Sequence, residues 1–162
     1  MEIKHRELHR VVVTAIIIKD GKHLICQRSD NKKAWPGFWT VPGGGVEVDD
    51  YINTEKTTGD AWYYALLNTL KREVKEEVGL EIKDIDYLLD IAFIRPDGIP
   101  VITLSFFCNW ESGAVVLNEE NQDYKWVSAE EARNYNLIPG ILGEIEMVDK
   151  ILKGEKPTYE HI

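Results

Sequence analysis

The sequence predicts a mixed β-sheet with helices packed on it, in the α+β or α/β/α layer class. Three observations predict it. Val11 to Ile18, VVVTAIII, is a β-branched apolar run followed by the hairpin signal Asp20-Gly21. A long stretch of helical periodicity closes at Gly79, a residue suited to the left-handed turn that ends helices. Two further apolar runs flank Pro96-Asp97-Gly98, a strong turn signal.

The elements follow in order. After the Val11–Ile18 strand, His23 to Gln27 reads as its returning partner. Asn31 to Gly45 is rich in Pro, Gly and aromatics, and holds a short extended piece, Phe38 to Val41, before Gly43-Gly44-Gly45. Three glycines free the backbone for conformations other residues resist and let it approach a ligand closely. Val46 to Gly59 is polar and reads as a loop. Asp60 is then a plausible N-cap for a helix over Ala61 to Val78, with Tyr63, Leu66, Leu67, Leu70, Val74 and Val78 as its buried stripe. Tyr87 to Ile94, Ile99 to Trp110 and Lys125 to Val127 are strand-like. Ser128 and Glu131 form a capping box for a helix beginning near Ala129, and Pro139 opens a last helix, Gly140 to Leu152.

Composition sets the outer bounds. At 162 residues, with no repeat or linker, the chain is expected to form a single domain over 1–162 around one core. No apolar run approaches the ~20 residues needed to cross a bilayer, and the charged start MEIKHRELHR lacks the apolar centre of a secretory signal. A soluble cytoplasmic protein without membrane partners is expected. Cys26 and Cys108 sit in apolar segments without metal-type spacing, which suits buried thiols. His5, His9, His23 and His161 are scattered and receive no role. A net charge of −9 argues against gripping nucleic acid through a basic surface. A polyanionic small molecule can still bind an acidic site if divalent cations lie between.

That possibility meets one stretch, LKREVKEEVGL, which crowds Glu73, Glu76 and Glu77 onto the edge of the helix's packed face. Like charges three and four residues apart cost a few tenths of a kcal/mol each. Alone, KREVKEE reads as a solvated helix face. Glutamates at this spacing can also converge on magnesium, which prefers octahedral oxygen ligands and commonly takes one or two carboxylates plus substrate phosphates. Ions held this way bridge phosphate oxygens, withdraw charge during phosphoryl transfer and acidify a water.

Arg72, Glu73, Val74, Lys75, Glu76, Glu77, Val78, Gly79 and Leu80, behind a glycine-rich loop, resemble the signature box of the Nudix hydrolase family at every defined position. FWTVPGGGVE resembles the family's entry into the box, and QDYKWVSAEEARNYNL its closing strand and helix. The resemblance covers about 130 residues and implies a Nudix-type α/β/α sandwich with a mixed sheet. It departs from the family in one place. With Gly44 as the box's first glycine, Asp50 stands where Glu is usual, and 21 residues rather than seven separate it from Arg72. An insertion of 14 residues around 51–64 accounts for this; the aromatics of YINTEKTTGDAWYY suggest a lid or a homodimer contact, with plain loop growth the alternative.

The resemblance also implies roles. Glu73, Glu76 and Glu77, with the Gly43 carbonyl, become ligands for Mg2+, with Mn2+ as a substitute, and Arg72 orients the cluster. One of the glutamates can assist deprotonation of water. Glu120 is a candidate general base or further ligand, with Asp123 its competitor. Arg28 can touch substrate phosphates, and Trp35 and Phe38 can stack a nucleobase, although core packing suits these aromatics too and suits Trp39 most. With WPGFW and LNEENQDY, these pieces most resemble the branch that cleaves nucleoside triphosphates, pyrimidine deoxynucleotides included, to monophosphate and diphosphate. ADP-ribose, nucleotide sugars or oxidised nucleotides are the alternative substrates. A non-catalytic nucleotide sensor is the alternative class.

Overall fold

The computed structural model describes residues 4–156; His161 lies outside them. Strands β1 (Arg10–Lys19) and β2 (Lys22–Arg28) form the opening hairpin, with Asp20 and Gly21 both at positive φ in its turn. They pair only beside that turn, Ile18 with His23 and Lys19 with Lys22. Farther along, β3 (Trp39–Thr40) joins β2, and β4 (Gly43–Gly45) joins β1. The parallel ladder between β1 and β6 (Pro100–Ser112), among antiparallel neighbours, makes the sheet mixed. The order is β3-β2-β1-β6-β5, with β5 (Glu81–Ile94) at one end and β7 (Asn121–Val127) paired to β2.

Alternation along β1 feeds two apolar layers. Val13, Ala15 and Ile17 pack against Leu70, Val74 and Val78 of helix α1 (Ala65–Val78). Ile16 and Ile18 face the other way, toward Ile145 and Val148 of helix α3 (Ile141–Leu152). The result is a helix-sheet-helix sandwich in which each fully buried aliphatic side chain contributes roughly 1.5–3 kcal/mol. Cys26 and Cys108 are buried free thiols, as their surroundings predict. The Ser128–Glu131 capping box forms and starts the single turn of α2 (Ala129–Ala132).

Three boundaries differ from expectation. Helix α1 begins at Ala65, not Ala61, and Asp60 is no cap. Asp60 instead pairs with Lys56 at 2.9 Å, and the Ala61 N–H donates to the Thr58 carbonyl at 2.8 Å, so a local turn consumes the groups a helix would need. Tyr63 is correspondingly 57% exposed rather than part of the stripe. Strands β5 and β7 start earlier than their apolar runs, at Glu81 and Asn121. In β5 the cause is its edge position, where outward Lys and Asp side chains hide the alternation.

Candidate active site

The end of α1 turns its acidic side toward β4. Glu77 is 7% exposed and accepts a hydrogen bond from the Gly43 N–H at 3.2 Å. Burial, with Glu120 and Glu73 nearby, pushes its carboxyl up to about 8 against the pull of the Gly43 amide. Glu73 is also raised, by burial first and by Glu76 and Glu120 after, while Arg72 opposes the shift. Both shifts come first from burial, and the neighbouring carboxylates add to it.

Arg72 is held from two sides. Its Nη1 donates to Glu73 at 2.9 Å and to Glu76 at 3.1 Å. Its Nε and Nη2 fork onto Asp50, and Nη2 also reaches the Gly45 carbonyl at 3.1 Å. Asp50 is itself clamped by the Thr69 hydroxyl at 2.6 Å and the Glu47 N–H at 2.9 Å. These donors, the Arg72 guanidinium first, hold its carboxyl down at about 2. So Asp50, across a long stretch of chain, closes on Arg72 as a bidentate partner.

The glycines serve close approach rather than unusual backbone angles. All three lie in ordinary extended conformation in β4. A Cβ on Gly44 would fall 2.2 Å from the Glu73 carboxyl carbon, and one on Gly45 2.7 Å from Arg10 Nη2. Gly43 is pressed equally hard on the Val13 carbonyl, at 2.2 Å. A side chain at Gly44 would displace Glu73, one at Gly43 would clash with the β1 backbone, and one at Gly45 would push on Arg10.

These groups form one wall of a cavity of about 1080 Å³. Arg28, Trp35, Gly43, Arg72, Glu73, Glu76, Glu77 and Glu120 all line it. Glu120 pairs with Lys32 at 2.8 Å, and Arg28 Nε donates to the Ala34 carbonyl at 3.0 Å. Phe38 is off the wall; it stands edge-on behind Trp35, ring centres 5.0 Å apart. Asp123 is also absent from the lining and pairs with Lys125 at 3.2 Å. Trp39 is core, against Tyr135. Among the described residues no three acidic, His or Cys side chains are gathered closely enough to grip an ion as they stand, since Arg72 Nη1 takes both Glu73 and Glu76.

Comparison with known proteins settles the family. Residues 8–149 match the NUDIX domain model. The chain is a Nudix hydrolase. It is 33% identical over 138 residues to the nucleoside triphosphatase NudI of Escherichia coli K12, covering 79% of this chain and 88% of that protein. The Salmonella agona protein of the same name is 32% identical over the same shares. Among solved structures, the MutT protein of Methanosarcina mazei Go1 has a TM-score of 0.67 at 26% identity, over 90% of this chain and 96% of that one. The MutT NUDIX hydrolase of Burkholderia pseudomallei has a TM-score of 0.69 at 21% identity, over 88% and 99%, and shows the fold. As a Nudix hydrolase this chain cleaves a phosphoanhydride bond, in a family that generally needs a divalent cation.

The Nudix cavity also holds residues that reading the sequence missed. Arg10, Lys33, Arg95 and Glu119 line it. Arg10 and Arg95 come together through topology: Arg10 lies beside Val101 in the β1–β6 ladder, and Arg95 follows the β5 end that pairs with Pro100. The one legible signal was their place at strand ends, which becomes informative once the parallel pairing is known.

Proposed function

We propose that this Nudix chain hydrolyses nucleoside triphosphates, pyrimidine deoxynucleotides among them, to nucleoside monophosphate and diphosphate with magnesium, or manganese in its place. The observation that carries the reading is that one cavity gathers the carboxylates Glu73, Glu76, Glu77 and Glu120 together with the cations Arg10, Arg28, Lys33 and Arg95. The name of the NudI relatives points to the same substrate class. A soluble cytoplasmic enzyme fits this reading, and among the described residues no helix is long and apolar enough to cross a membrane.

The donors fit a hard cation, being carboxylate oxygens beside the β4 backbone, and the raised Glu73 and Glu77 mark charge that such an ion would relieve. Glu73, Glu76, Glu77 and the Gly43 carbonyl would hold it. Bound there, the ion supplies charge neutralisation along the polyphosphate and acidifies a water. Arg72 is a positioning residue: fixed by Asp50, it sets where Glu73 and Glu76 stand. Arg28, Arg10 and Arg95 bind phosphate oxygens, and Trp35, braced by Phe38, offers a ring face to the base. Water adds to phosphorus, the bond between the α and β groups breaks, and Glu120 takes the proton.

Product analysis tests this. A panel of nucleoside triphosphates, ADP-ribose and a nucleotide sugar is incubated with and without magnesium. Nucleoside monophosphate and diphosphate, formed only with the metal, are expected. Orthophosphate as the sole small product, or faster cleavage of ADP-ribose than of any triphosphate, would refute it.

A further inference from the structure

Two of the cations that line the cavity are paired with its carboxylates, and they are held differently. Arg72 is fixed: Asp50, whose side chain is only 2% exposed, forks onto it, and the Gly45 carbonyl takes a further N–H. Lys32 is held by a single ion pair among the described residues, to Glu120 at 2.8 Å, and the two side chains are 28% and 41% exposed. The backbone brings this pair together. The Ser29 N–H donates to the Glu120 carbonyl at 2.9 Å, and the Ser29 carbonyl accepts from the Lys32 N–H at 3.0 Å. On its other side the Glu120 N–H donates to the Asn118 side chain at 3.0 Å, and the Asn118 N–H donates to the Glu77 carbonyl at 3.2 Å. One run of bonds therefore ties the end of α1 to Glu120 and to the turn that carries Lys32, and both side chains line the cavity.

The charges are close enough to act on one another. Beyond the burial that raises Glu73 and Glu77, Glu120 pushes both carboxyls up and Lys32 draws Glu77 down. This arrangement sets up a conflict. A carboxylate clasped by an ammonium is a weaker base, and a divalent ion among Glu73, Glu76 and Glu77 would be repelled by the same ammonium. The pair is also easily broken. Half-exposed ion pairs contribute little, and the flexible four-carbon stem of a lysine lets its charge reach another anion. An incoming polyphosphate is such an anion.

We propose that Lys32 is an exchanging cation: it caps Glu120 until a polyphosphate arrives, then moves to the phosphate oxygens and leaves Glu120 free to take the proton from water. The proposal rests on the metal-dependent nucleotide reading above. It adds a coupling between ligands: Lys32 opposes the metal ion alone and favours the metal together with the nucleotide. The base is then uncovered by the substrate itself.

Lys32→Met, which keeps the stem and removes the charge, tests this through two binding measurements. Mn2+ alone, followed by the paramagnetic resonance of the free ion, should bind the variant about threefold to tenfold tighter, because the opposing cation is gone. The α,β-imido analogues of dCTP and ATP are then titrated calorimetrically in the presence of Mn2+; the tighter of the two should bind the variant about tenfold more weakly, for loss of a charged contact. Opposite signs are the expected result. A Lys32 that only braces its turn would lower Tm and weaken both; that result, or either affinity left unchanged, overturns the proposal. Lys32→Arg keeps the charge and should restore the nucleotide affinity; binding as weak as that of Lys32→Met would mean that charge is not what matters and also overturns it. In a Glu120→Gln background the gain in Mn2+ affinity from Lys32→Met should shrink, and a gain as large as before would show that Lys32 does not act through Glu120. The two readings fail separately. Mn2+ binding and triphosphate cleavage with no opposite-sign effect sink this proposal alone; the opposite-sign effect without cleavage sinks the hydrolase reading and keeps the exchange; absence of both Mn2+ binding and cleavage sinks both.

Discussion

The acidic face of α1 and the segment 51–64 lie next to each other in the chain and are built on opposite principles. On α1, Arg72 reaches Asp50 and Gly45, Glu77 reaches Gly43, and Glu73 fills the space that Gly44 leaves. Every one of those contacts crosses between elements. In 51–64 the side-chain hydrogen bonds close within the segment: Thr54 to Tyr51 at 2.7 Å, Trp62 to Thr54 at 3.1 Å, and Lys56 to Asp60 at 2.9 Å. The difference teaches that a segment which folds on itself can be lengthened without moving what flanks it. Asp50 meets Arg72 because both ends of the segment are fixed by the sheet and the helix, so the number of residues between them matters little.

That contrast is broken most severely on the α1 side. Glu76→Gln or Glu77→Gln, the proposed ligands, should lower turnover about 100-fold or more, the scale of losing a preorganised electrostatic group, while circular dichroism stays unchanged. Unchanged turnover in both variants removes the metal assignment. Asp50→Ala comes next, because it removes the fork that fixes Nε and Nη2 of Arg72, leaving that side chain only Glu73, Glu76 and the Gly45 carbonyl. Losing hydrogen bonds between charged groups costs about 1.5–3 kcal/mol, read as a drop in Tm. Turnover should fall as well, since Arg72 no longer has a fixed place from which to hold Glu73 and Glu76.

A pH series sharpens the same point with a smaller effect. Asp50 titrates at about 2 in the folded chain, below its ordinary value, so the unfolded chain binds its proton first as the solution is acidified. The stability it contributes is complete above the ordinary carboxylate range and is lost as the pH falls from there through about 2. Denaturant melts of the unaltered chain and of Asp50→Asn should therefore converge in this window. Parallel curves would mean that Asp50 carries no coupling.

Much of this was legible in the sequence, for reasons that differ by element. The β1 hairpin, α1 from Leu66 onward, and the Ser128–Glu131 cap announce themselves because local residues decide them. Glu73, Glu76 and Glu77 were legible because one helix carries all three at fixed spacing. The start of α1 was not, since Asp60 looks like a cap until Lys56 takes its carboxylate. Nor was the Asp50–Arg72 fork, whose partners are separated by a loop that says nothing about where it returns. Arg10 and Arg95 depend on strand order, which no local pattern encodes.

The smallest expected effect belongs to 51–64, which we propose to be an insertion in the Nudix box. Its Tyr63 and Tyr64 are exposed, and Ile52 with them, so the segment has the surface of a lid or of a contact with a second copy. Its internal bonding argues for the plainer view. Loop-closure cost changes by only about 0.6 kcal/mol per doubling of length, and the bonds lost on removing the segment are lost together with the residues they hold. Replacing 52–63 with a short Gly/Ser linker should therefore shift stability by less than about 1 kcal/mol and leave turnover on the best triphosphate nearly unchanged. If turnover falls steeply while Tm holds, the segment works as a lid over the cavity. If sedimentation shows a dimer that the shortened chain cannot form, its aromatics are the contact. Either result would show that the self-contained bonding of 51–64 preorganises a surface rather than merely filling a gap.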